Sequence, residues 1–73
     1  MKIMKKAIVT NQHGRLCLIR IVDTGYDYGV QQKIGKIWFT DFLYPYGVAQ
    51  TKRTAFTKAN IAFNTVREDK KGA

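Results

Sequence analysis

The nonapeptide from Arg15 to Asp23, RLCLIRIVD, narrows the choice of folds more than any other stretch. As a strand it places Arg15, Cys17, Ile19 and Ile21 on one face and Leu16, Leu18, Arg20 and Val22 on the other. Both faces are largely apolar, and a strand of that kind belongs inside a sheet with neighbours on either edge. The chain must therefore build a sheet around this segment, and it has 73 residues to do so. A domain of that size buries only about 60% of the surface its unfolded chain exposes, so its core must be compact.

Small domains usually add a staple to such a core. Cys17 is the lone cysteine, which rules out an internal disulfide, and with His13 as the lone histidine a four-ligand zinc site lacks its ligands. No metal site and no cofactor are expected. Self-association is the remaining staple, so a homodimer is a natural expectation. The lone thiol fits a reducing, cytoplasmic setting. The opening MKIMKKAIVT lacks the apolar core of a secretory signal, and no apolar run approaches the roughly 20 residues that span a bilayer. No membrane association is expected.

Flanking segments supply the other elements. KKAIVT at 5–10 is β-prone, and NQHG at 11–14 carries the Asn and Gly chemistry of a hairpin turn into RLCLIRIVD. TGYDYG at 24–29 reads as a loop. KIGKIWFTDFL at 33–43 reads as a third strand with Ile37, Phe39 and Leu43 on a core face and Lys36, Trp38, Thr40 and Phe42 on the other. Trp38 alternates with Lys36 and Thr40, which favours its exposure. Pro45 removes a ladder donor and should end the strand near Tyr44.

At the C-terminus, Ala55, Phe56, Ala59, Ala62, Phe63 and Val66 form one helical stripe, with Thr54 available as N-cap and Ile61 on the wrong side. A strand would instead align Ile61, Phe63 and Thr65, but the helical match is longer. The expectation is a single β-rich α+β domain over 1–68. It has three to four antiparallel strands in a curved sheet or partly closed barrel, a C-terminal helix around 54–67, and a frayed basic tail over 69–73. If 54–67 were a strand, an SH3-like or OB-like barrel would describe the chain better.

One word occurs twice: Tyr26, Tyr28, Gly29, Val30 and Gln32 match Tyr44, Tyr46, Gly47, Val48 and Gln50 at an offset of eighteen. The rest of the chain does not repeat, and two repeats cannot bury a solenoid core. The word reads either as two similar corners bracketing the Trp38 strand or as a set of rings aimed at a ligand.

Charge gives the functional direction. Thirteen Lys and Arg against five Asp and Glu leave +8, and the first 22 residues contain no acid. Such a balance predicts an anionic partner, of which nucleic acid is the commonest. Tyr26, Tyr28, Trp38, Tyr44 and Tyr46 would stack on bases while Lys33, Lys36, Lys52 and Arg53 grip phosphates. Single strands are preferred over duplex because no recognition helix is available. DNA and RNA stay open. The alternative is a small interaction module, an inhibitor or adaptor, that docks on an acidic surface of a larger protein, since Tyr, Trp and Arg also dominate protein interfaces. No catalytic residue is expected: the chain has no serine, no phosphate-loop motif, and carboxylates at unrelated spacings.

Overall fold

The computed structural model describes residues 1–10, 13–47 and 50–72, with the side chains of 69–72 left aside. Four strands, β1 (Lys2–Thr10), β2 (Leu16–Asp23), β3 (Asp27–Ile34) and β4 (Ile37–Pro45), precede one helix, α1 (Lys52–Gly72). The strands form an open antiparallel meander in the order β1-β2-β3-β4, so β1 and β4 are the edges. The domain is α+β and β-rich, without barrel closure. As its pattern demands, β2 lies inside the sheet, with Ile19, Ile21 and Val22 fully buried.

The segment read as one strand over 33–43 is two. A two-residue turn, Gly35–Lys36, reverses the chain between the paired Ile34 and Ile37. Gly35 has φ +65°, and among the described residues none but glycine has a positive φ. That combination is the type II′ hairpin, whose twist matches the strands it joins. The loop read over 24–29 is likewise a tight turn at Gly25–Tyr26, closed by the Thr24 N–H donating to the Asp27 carbonyl at 3.1 Å. Gly25 has φ +100°. Of the NQHG turn, Gly14 has φ +76°, while Asn11 and Gln12 lie outside the described residues.

α1 crosses one face of the sheet. Ala55, Ala59 and Phe63 are fully buried against Ile19, Ile21, Tyr28 and Val30, with Phe56, Ala62 and Val66 packed beside them. Two alanines bring the helix close and Phe63 fills the space left; Ile61 points out, 62% exposed. The helix is longer at both ends than 54–67. Its cap is Thr51, not Thr54: the Thr51 Oγ1 accepts the Thr54 N–H at 3.2 Å, and the Thr51 carbonyl accepts the Ala55 N–H at 3.1 Å. At the other end it continues to Gly72, through most of the segment expected to fray, and Ala73 lies outside the described residues.

The core face expected of β4 is only partly right. The β3–β4 register shifts between Val30 and Gln31, where Val30 faces Phe42 and Gln31 faces Thr40, leaving Asp41 as the extra residue of a bulge. A bulge inverts the alternation beyond it. Ile37 and Phe39 therefore share the helix side with Phe42 and Tyr44, whereas Leu43 moves to the opposite side. There it meets Val22 over Gly29, where an added Cβ would stand 3.4 Å from both side chains. Ile37, Phe39 and Leu43 stay 61%, 46% and 56% exposed, so none is core.

Truncating Phe63 to Ala removes the largest fully buried side chain and should cost about 3–5 kcal/mol in urea denaturation, most of the stability of so small a domain. Ile61→Ala, on the exposed side, should stay within about 0.5 kcal/mol.

Candidate anion-binding face

The face opposite α1 has no covering layer among the described residues. Strand register arranges it in rows. Ile3, Val22, Gly29 and Leu43 form one; Lys6, Arg20, Gln31 and Thr40 form the next; Ile8, Leu18, Lys33 and Trp38 form a third. A basic and polar row thus runs across the sheet between two mainly apolar ones.

Hydrogen bonds hold the middle row. The Arg20 Nε donates to Gln31 Oε1 at 2.8 Å, and Gln31 Nε2 donates to Thr40 Oγ1 at 3.1 Å. Arg20 is thereby laid flat, with its Cζ 3.8 Å from the centroid of the Trp38 ring, and the Lys33 ammonium stands 6.0 Å from the same ring. A guanidinium over an indole is favourable because the ring face is electron-rich. Between Trp38 and β1 lies a groove of about 430 Å³ lined by Ile3, Lys6, Ile8, Leu18, Arg20 and Trp38. The one carboxylate whose strand position falls on this face, Asp27, sits at the end of β3 and accepts the Thr24 hydroxyl at 2.6 Å. Apolar floor, planar cation and unopposed ammonium groups are what a flat anionic ligand requires.

Only part of the residue set expected from sequence gathers here. Trp38 and Lys33 are register partners, and Lys36 stands just beyond them in the exposed turn. The tyrosines are elsewhere. Tyr28 is 5% exposed in the core, its ring 5.3 Å from those of both Tyr46 and Phe56. Tyr44 lies on the helix side beside Phe42, their centroids 6.4 Å apart, and Tyr26 is 81% exposed at the tip of its turn. Lys52 and Arg53 open the helix. Lys6 and Arg20 were missed as site residues; the signal was an arginine interrupting the apolar series Leu16, Leu18, Val22 of an inner strand.

The doubled word is a pairing device. Tyr28 is the register partner of Tyr44, and the Tyr46 N–H donates to the Tyr26 carbonyl at 3.1 Å, so the two Tyr-x-Tyr segments zip together antiparallel. The remaining letters diverge: Gly29 is strand interior, Gly47 has φ +142°, and Val48 lies outside the described residues.

A separate polar cluster pins this corner. The Tyr46 hydroxyl donates to Asp23 Oδ1 at 2.8 Å, the Gly25 N–H donates to the same oxygen at 3.0 Å, and the Lys52 ammonium lies 3.5 Å from Asp23 Oδ2. These donors, Tyr46 first, hold the Asp23 carboxyl below its ordinary 3.8, and the carboxylate pushes the Tyr46 phenol up to about 12. Among the described residues no group of three His, Cys, Asp or Glu could hold a metal ion, and no helix is long and apolar enough to cross a membrane.

No protein-family model matches this chain, and neither a curated protein nor a solved structure shows significant similarity to it.

The Asp23 corner gives a pH dependence with a defined sign. A depressed carboxyl pKa stabilises the fold fully above about 3.8, and the contribution disappears as pH falls through the lower folded value. Thermal denaturation of Asp23→Asn should show a shallower loss of stability in acid than the parent. The raised Tyr46 pKa works oppositely, stabilising below 10 and fading toward 12, so Tyr46→Phe should remove the highest step in a phenolate absorbance titration.

Proposed function

We propose that this chain binds nucleic acid, single strands in preference to duplex, across the open face of its sheet. The observation that carries the reading is the Arg20–Trp38 stack beside Lys6 and Lys33 on a face with one peripheral carboxylate. Lys6, Lys33 and the turn residue Lys36 would contact phosphates, and a base would stack on the exposed part of Trp38 or insert into the groove toward Leu18. Guanidinium planes stack on bases as aromatic rings do, so Arg20 and Trp38 would form one platform. The net charge of +8 supports the same partner class through counterion release. The lone Cys17 suits a reducing, cytoplasmic setting for this activity.

A second reading rests on the aliphatic residues that share the face. Ile3 is 49%, Ile8 65% and Leu43 56% exposed, and side chains of that kind are typical of a protein interface. An acidic protein surface would then replace the nucleic acid.

Titration with single-stranded DNA or RNA oligonucleotides should change Trp38 fluorescence, and affinity should fall steeply as salt rises from low to moderate concentration. Trp38→Ala should weaken binding by about tenfold to a hundredfold, in line with about 1–3 kcal/mol per stacked base. Arg20→Ala and Lys33→Ala should each weaken binding and lower its salt dependence, whereas Arg53→Ala, at the helix start, should not. Binding insensitive to salt would sink the reading. Capture of an acidic protein that persists after nuclease treatment would favour the second.

A further inference from the structure

We propose that β4 is a self-pairing edge, through which a second copy of this chain adds antiparallel about a two-fold axis to make one continuous sheet from two four-stranded ones.

The two edges of the sheet are unlike. Both edges carry a bulge, but β1 also carries Lys2, Lys5 and Lys6, and lysines along an edge keep it from pairing. From Ile37 to Pro45, β4 carries no cation and one acid, Asp41. A chain of net charge +8 repels its own copy over most of its surface, and β4 is the edge where that repulsion is weakest. This edge also leaves apolar side chains uncovered on both faces: Ile37 at 61%, Phe39 at 46% and Phe42 at 44% on the helix side, with Leu43 at 56% on the other.

The order of residues then selects the partner. About the junction of Thr40 and Asp41 the strand reads Ile-Trp-Phe-Thr and Asp-Phe-Leu-Tyr, two apolar triplets around a polar pair. Two-fold antiparallel pairing about that point sets Phe39 against Phe42, Trp38 against Leu43 and Ile37 against Tyr44, with Thr40 and the bulged Asp41 at the axis. In a regular strand such pairs would point to opposite faces, because their numbers sum to an odd value. The bulge at Asp41 removes that conflict: Phe39 and Phe42 both lie on the helix side, and Trp38 and Leu43 both lie on the open side. A single irregularity makes the edge self-complementary, as an isologous interface must be.

The test is the mass of the full chain by sedimentation equilibrium across a range from about 5 to about 500 µM, wide enough to catch a weak reversible dimer. The parent should move from monomer to dimer. Phe39→Glu and Phe42→Lys should each weaken dimerisation by at least about tenfold, the loss expected when a charge is set against an apolar partner. Both sites are exposed, so circular dichroism should match the parent. Mixing the two variants in equal amounts should restore dimer, because the new carboxylate and ammonium face each other while the remaining Phe39–Phe42 pair is intact. A parent that stays monomeric, a dimer indifferent to both variants, or a mixture that fails to reassociate would each overturn the proposal. So would a dimer lost through Ile8→Glu on the open face instead.

Discussion

One helix against a sheet of four strands is the constraint from which the other features descend. Ala55, Ala59 and Phe63 seal Ile19, Ile21, Tyr28 and Val30 from water, and that contact is the main burial a chain of this length achieves. Lys5 contributes from the edge, its ammonium donating to Asn60 Oδ1 at 2.7 Å and standing 4.9 Å from the Phe63 ring. A single helix can cover a single face. Val22, on the other, is fully buried all the same, because Leu43 closes over it where Gly29 has no side chain. The chemistry of the remaining open surface is left to the residues of alternate parity.

Those residues divide the molecule electrostatically. On the helix side the acids are engaged in structure: Asp23 at the Tyr46 and Lys52 corner, and Asp41 receiving both contacts of the Gln32 amide at 3.0 and 3.1 Å. On the open side Arg20 is held by stacking and an amide contact, and Lys33 stands near the same ring, with no carboxylate against either charge among the described residues. Arg20 in particular is oriented by Gln31 and Trp38 without a carboxylate, an arrangement that fixes geometry and keeps positive potential.

Much of the architecture was legible in the residues. The two-sided apolarity of RLCLIRIVD marked the inner strand, and the stripe from Ala55 to Val66 marked the helix, because both are local periodicities. What escaped was set by single residues whose effect is not periodic. Gly35–Lys36 sits among β-prone residues in KIGKIWF, and an isolated glycine in such a run also suits a bulge within one strand, so one strand was read where two exist. The Asp41 bulge exchanged the faces of Phe42 and Leu43. The candidate site was less legible: Lys33 and Trp38 stood in the expected set and meet across the short Gly35–Lys36 turn, while Lys6 and Arg20 come to the same face through the β1–β2–β3 register, which no local pattern carries. The tyrosines drew attention as a repeated word, and pairing with each other is what the repetition encodes.

The start of α1 has a consequence for how the chain comes together. Its first turn holds Lys52 and Arg53 and no acid, so cations sit at the end of the helix where the macrodipole is already positive. Thr51 caps it, but the compensating carboxylate belongs to Asp23 at the far end of β2, and Asp23 is positioned by Tyr46 after β4. In isolation the helix begins with an uncompensated repulsion, and an isolated segment with asparagines and threonines in its interior is a poor helix former. The meander, by contrast, joins neighbouring strands through short turns and needs no distant partner to start. Helix and sheet thus depend on each other, the sheet for cover of its core face and the helix start for the Asp23 carboxylate, and amide protection along α1 reports whether the sheet beneath it is complete.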